Sequence, residues 1–157
     1  MYRISVLCPG SPDRGPVEEL VDTYKLRLKP YAKLEEIWVK ETPFRKPEDA
    51  ARVREAEKEA FLARIPKGAF VVALTEEGKT FDSPTFAKTL DRFAEGGARP
   101  IAFLVGGPLG LSRELIKEAD ASLSLSPLTF PHNIARALLL EQLYRAGTIL
   151  AGKTYHY

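Results

Sequence analysis

The chain has 157 residues, 45% hydrophobic and 28% charged, with 23 basic against 21 acidic side chains and a net charge of +2. That size suits one domain with a single well-formed core, and that composition excludes a disordered tail. So small a net charge names no partner, and only local clustering can argue for nucleic acid.

The first run, MYRISVLCPG, predicts a strand at Arg3–Cys8. Its apolar core of about five residues is too short for a signal peptide, and no later run approaches the roughly 20 residues of a membrane span. A cytoplasmic protein without a membrane partner is the expectation. The one cysteine, Cys8, allows no internal disulfide and suits a reducing compartment. Its place in an apolar strand favours a small core residue over a nucleophile. Scarce Asn, Gln and Met beside plentiful Glu, Lys and Arg hint at a thermophilic source.

Pro16–Leu28 follows as a helix, with Val17, Leu20, Val21, Tyr24 and Leu28 on one side. It runs into YKLRLKPYAK, where Lys25, Arg27, Lys29 and Lys33 alternate with aromatics and no acid intervenes. That pattern can grip a phosphate backbone or form a solvated helix end. Strands are next expected at Leu34–Lys40, Ala69–Thr75, Pro100–Val105 and Ala121–Leu125, and helices at Pro47–Ile65, Ser83–Phe93, Leu111–Ala119 and Pro131–Leu150. Ser83-Pro84 suits a cap with a first-turn proline, and Ser112 with Glu114 suits the start of the short fourth helix. The alternation predicts one α/β domain over residues 1–157, a mostly parallel sheet flanked by helices on both faces. Ligands of such sheets bind beyond the carboxyl ends of strands, here Ala73-Leu74-Thr75 and Val105-Gly106-Gly107.

The glycines of FLVGGPLGL stand at 106, 107 and 110, which is neither G-x-G-x-x-G nor a P-loop. No acid follows at the ribose-binding distance; that interval ends in SLSLSPLTF. A nucleotide gripped by its phosphates is poorly supported. A ligand held by backbone and apolar contact, or a plain tight turn, remains open. No cluster with metal-ligand spacing stands out, so no metal is expected.

In the last helix, at about 100° per residue, His132 and Arg136 share a stripe with Leu139, Leu140, Leu143 and Leu150, while Ile134, Leu138 and Ile149 face the opposite side. A helix apolar on two sides needs two surfaces to pack on, one of which can be a second subunit. An arginine on a leucine-rich stripe should snorkel, pair or hold an anion. A histidine such as His132, taken alone, is more often a hydrogen-bonded structural residue than a catalyst.

The N-terminal strand, YKLRLKPY, ALTEEGK, FLVGGPLGL, LSLSPLTFPHNIARALLLEQLYRA and the terminal YHY together resemble the small bacterial RlmH family of SPOUT-class methyltransferases, along the whole chain. The resemblance implies a C-terminal trefoil knot, a homodimer, and transfer of a methyl group from S-adenosyl-L-methionine to N3 of a pseudouridine in large-subunit ribosomal RNA on the ribosome. A knot is something the general rules of chain connection would have excluded. Carried over by motif, the cofactor pocket comprises Leu74, Gly106, Gly107, Leu125, Ser126, Pro127, Leu128, Thr129 and Phe130. Backbone groups would satisfy the adenine edge, leucines would cover its face, and no phosphate fingerprint is needed. His132, Arg136 and His156 are the candidates for removing or offsetting the N3 proton, and Arg3, Lys25, Arg27, Lys29, Arg136 and Lys153 for contacting RNA. The chain ends in Tyr157, where relatives often carry a charged residue. Two rival readings are a non-catalytic ribosome-binding factor of the same fold and a flavodoxin-like nucleotide enzyme.

Overall fold

A computed structural model of the chain describes residues 1–155. The strands are β1 (Tyr2–Pro9), β2 (Ala32–Val39), β3 (Phe70–Lys79), β4 (Ile101–Leu104) and β5 (Ala121–Leu123). The helices are α1 (Pro16–Leu28), α2 (Ala50–Leu62, entered through a 3-10 turn at Pro47–Asp49), α3 (Ser83–Phe93), α4 (Arg113–Glu118) and α5 (His132–Leu150). The five strands form one sheet in the order β2-β1-β4-β3-β5. All four pairings are parallel, from Tyr2 against Ala32 at one edge to Val72 against Ala121 at the other.

Alternation of side chains across the sheet divides the core in two. On one face Ile4, Val6, Ile101 and Phe103 pack against Val21 of α1, Phe86 and Leu90 of α3, and Leu139, Leu140 and Leu143 of α5. On the other, Leu7, Ala102 and Leu104 meet Phe61 of α2 and Leu115 of α4. Gly147 lets α5 close on the loop after α1, since a Cβ there would lie 2.7 Å from Cγ of Tyr31.

Local signals set most boundaries. Ser112 caps α4, its Oγ accepting from the Leu115 amide at 3.1 Å, although the helix begins at Arg113 and not at Leu111. The cap of α3 is Asp82, not Ser83: its carboxylate accepts from the Thr85 amide at 2.8 Å. Helix α2 stops at Leu62, and β5 stops at Leu123, releasing Leu125 into the following loop.

Strand β3 runs further than expected and is irregular. Both Leu74 and Lys79 align with Leu123, so the intervening residues bulge. Ser124 resumes the bonding by donating its amide to the Lys79 carbonyl at 2.9 Å. Gly78 sits where the two backbones crowd: a Cβ would lie 2.6 Å from the carbonyl carbon of Leu123.

Candidate active site

The carboxyl ends of β3, β4 and β5 open into a cavity of about 340 Å3. Leu74 comes from β3, and Gly106 and Gly107 come from the turn after β4. Leu125, Ser126, Leu128, Thr129 and Phe130 come from the loop between β5 and α5, and His132 from the first residue of α5. The fold thus brings together eight of the nine residues expected around a cofactor; Pro127 lies in the same loop but not on the wall. Arg54, Glu76 and Leu109 also line it. No motif marks Arg54 in the sequence, because only the tertiary fold carries it to the strand ends; Glu76 lies in ALTEEGK, one residue past the expected strand end at Thr75.

The glycine turn owes its shape to its own closure. The Gly110 amide donates to the Gly107 carbonyl at 2.9 Å, and Gly110 has φ +73°. A Cβ on Gly106 would lie 2.9 Å from the Leu111 amide nitrogen. Gly106 is therefore required by the far side of the turn, as the tight-turn alternative has it. Arg54 ties the same turn to α2, its Nε donating to the Leu109 carbonyl at 2.7 Å.

The 125–130 loop leaves its main chain open. Among the described residues, no main-chain to main-chain hydrogen bond involves these residues. One amide, that of Leu128, is taken by Ser126 Oγ at 3.0 Å. Free donors and acceptors beside Leu74, Leu125 and Leu128 suit a ligand with a polar edge and a flat apolar face. A bent nucleoside cofactor fits such a wall.

His132 stands half-buried at the cavity wall. Arg136, one turn later, does not line it. Its side chain is 2% exposed, ion-paired with Glu18 of α1 and, at 3.4 Å, with Glu36 of β2, and its guanidinium lies 4.7 Å over the Trp38 ring. Of the three possibilities for this arginine, the structure shows pairing. His156 lies outside the described residues. Cys8 is buried, and burial pushes its thiol up to about 12, so it is a core residue with no thiolate at neutral pH.

The basic residues of the first helix and the tail are distributed differently. Lys25 bonds Glu36 at 2.6 Å, which raises its pKa. Arg3 donates to the Ala98 carbonyl at 2.5 Å. Arg27, Lys29 and Lys153 are exposed, Arg27 lying 5.5 Å over the Tyr24 ring and Lys153 5.3 Å over Tyr31. Tyr155 packs on Tyr144 at 4.6 Å, under Arg145 at 5.0 Å. Among the described residues no group of three or more His, Cys, Asp or Glu is placed to hold a metal ion, and no helix is long and apolar enough to cross a membrane.

The family described as "Predicted SPOUT methyltransferase" matches residues 2–156. A protein of Gemmatimonas aurantiaca named ribosomal RNA large subunit methyltransferase H is 42% identical over 98% of this chain and 99% of its own. One of the same name from Shouchella clausii is 38% identical over 98% of both chains. Among solved structures, a probable methyltransferase from Bordetella pertussis Tohama I superposes with a TM-score of 0.58 at 17% identity, covering 92% of this chain and 96% of that one. A probable methylase family protein from Haemophilus influenzae Rd KW20 gives 0.55 at 12%, covering 99% and 70%. At such identities these two speak for the fold alone.

Proposed function

The chain belongs to the SPOUT methyltransferase family, and we propose that it methylates N3 of a pseudouridine in large-subunit ribosomal RNA, using S-adenosyl-L-methionine, in the cytoplasm. The observation that carries this reading is the cavity itself. Residues 74, 106, 107, 125, 126 and 128–130 are far apart in sequence, yet they form one wall with unpaired main-chain groups and no phosphate cradle. The names of relatives at 38% and 42% identity support the ribosomal RNA substrate.

When bound, the cofactor supplies an electrophilic methyl group on a sulfonium. The protein's own contribution is alignment and exclusion of water. Leu74, Leu125 and Leu128 would cover the adenine face, the open amides and carbonyls of the loop after β5 would bond its edge, and the glycine turn would complete the wall. Holding nucleophile and methyl in line can supply several kcal/mol of the barrier. His132, an imidazole at the wall, would accept or orient the N3 proton, with His156 a second candidate from the tail. Arg136 acts from below by holding α5, and hence His132, against α1 and β2.

Two further features belong to the same reading. Leu128 is 72% exposed and Leu138 39%, and this apolar surface on α5 and the loop before it supports a homodimer. A knotted path for the C-terminal third belongs to the proposal on the strength of the resemblance. The deciding experiment is calorimetry with S-adenosylmethionine, followed by mass spectrometry of ribosomal RNA from cells with and without the gene. Cofactor binding and a missing methyl group in the deletion strain are expected. Absence of cofactor affinity would leave a binding factor of the same fold.

A further inference from the structure

Helix α2 presents two side chains to the outer side of the 106–110 turn. Arg54 holds the Leu109 carbonyl, and Glu57, 5% exposed, brings its carboxyl against Gly107. A Cβ on Gly107 would lie 3.1 Å from Oε1 and 3.6 Å from Oε2 of Glu57, so the missing side chain lets the carboxyl approach the turn's main chain. Gly107 is also part of the cavity wall. One residue thus separates a buried acid from the ligand space.

That acid has no counter-ion. Among the described residues, no salt bridge or side-chain hydrogen bond involves Glu57. Gly107, the residue it lies against in the turn, carries no charge. Glu41, after β2, adds a like charge. On α2 itself Arg54 bonds the neutral Leu109 carbonyl and makes no ion pair with Glu57, and Lys58 bonds Glu55 at 3.3 Å. A buried carboxylate so placed is costly unless a cation arrives nearby.

We propose that Glu57 is a specificity-determining residue: across Gly107 its carboxylate is the counter-charge for a cationic sulfonium ligand, so that the cavity prefers this ligand to the neutral thioether left after methyl transfer. The inference rests on the reading of the cavity as the cofactor site. In the empty protein, burial first and Glu41 second push the Glu57 carboxyl up to about 7. A cation in the cavity favours the ionised form, so its binding releases a proton near neutral pH. When the methyl group leaves, the sulfur keeps the bonding electron pair and becomes neutral. The carboxylate then takes a proton back from solvent, and the attraction that distinguished the two ligands is gone.

Calorimetry with S-adenosylmethionine and S-adenosylhomocysteine at pH 6 and pH 8, on the wild type and Glu57→Gln, tests this. The wild type should prefer the sulfonium more strongly at pH 8, by about fivefold for one unit of coupling. Glu57→Gln should lack that fivefold gain, while any pH dependence from the ligands' own amino groups is common to both proteins and cancels in the comparison. A second measurement needs only the wild type: titrations in buffers of different ionisation enthalpy should show proton release with the sulfonium and none with the thioether. A preference in the wild type that does not change with pH, a variant that keeps the wild-type dependence, or equal proton release with both ligands overturns the proposal. Failure of both ligands to bind the wild type overturns it together with the cofactor-site reading, a result distinct from the other three.

Discussion

Arg136 of α5 and Glu18 of α1 form a buried ion pair 118 residues apart in sequence, completed by Glu36 at 3.4 Å and roofed by Trp38. Removing the guanidinium leaves two mostly buried carboxylates facing each other, with only Lys25 at 2.6 Å from Glu36 to offset them. Arg136→Met should therefore lose about 3 kcal/mol of stability, read in chemical denaturation. Its folded fraction should bind S-adenosylmethionine nearly as the wild type does, because Arg136 is absent from the cavity wall. Full stability with abolished methyl transfer would instead place this arginine among the reacting groups.

The turn after β4 offers a contrast between neighbours. A Cβ at Gly106 meets the backbone of Gly110 and Leu111 at 2.9 to 3.1 Å, which cannot yield without opening the turn. At Gly107 the obstacle is the end of the Glu57 side chain, which can move. Gly106→Ala should weaken cofactor binding by roughly tenfold or more, a cost on the order of 1.4 kcal/mol, and Gly107→Ala by less. Calorimetry on both variants checks the order. Equal effects would mean that the turn opens freely.

Residues whose partners are local are legible in the amino-acid sequence. The alternation of apolar runs and helical spacings places all ten main elements, since each signal is contained within a few residues. The cavity loops are reachable through their resemblance to a family. What cannot be read this way depends on distant partners. Glu57 and Arg54 lie in EAEKEAF and its approach, a charged helical stretch rich in Ala and Glu. Only the packing of α2 under the glycine turn makes one buried and the other a wall residue. The need for glycine at 78 is equally invisible until β5 passes within 2.6 Å of where its Cβ would be.

Self-association should reside on the outer face of α5. Leu138 is 39% exposed, so replacing it with glutamate costs the protomer little, yet it would bury an unpaired charge in any interface formed there. Sedimentation equilibrium should give a dimer for the wild type and a monomer for Leu138→Glu at micromolar concentration. A monomeric wild type, or a variant that remains dimeric, places the interface elsewhere or nowhere.

The tail is anchored by aromatic contact. Tyr155 packs on Tyr144 and its hydroxyl lies 3.4 Å from that of Tyr24, whose pKa is pushed up to about 12, first by that hydrogen bond and next by burial. Tyr155→Phe should keep the packing and lower the Tyr24 titration toward its ordinary value near 10, followed by ultraviolet absorbance. Tyr155→Ala should also lose about 1 kcal/mol from the aromatic pair. An unchanged titration in the phenylalanine variant would show that the two hydroxyls do not bond in solution.

Glu57 also makes stability depend on pH in a direction opposite to most carboxylates. Its folded pKa, about 7, lies above the value of 4.5 for the free side chain, so the fold favours the protonated acid. That contribution is fully present below pH 4.5 and is lost as pH rises through 7. Above pH 7 the ligand-free protein carries a buried charge that the unfolded chain leaves in water. Glutamine keeps the shape and removes the charge, so Glu57→Gln should gain on the order of 2 kcal/mol over the wild type at pH 8 and nearly nothing at pH 4.5. Denaturation midpoints of both proteins across that range measure the difference. A gap that stays constant with pH would mean that the carboxyl titrates as an ordinary exposed glutamate. If the gap instead closes when S-adenosylmethionine is added at pH 8, the cation has supplied what the buried carboxylate lacks.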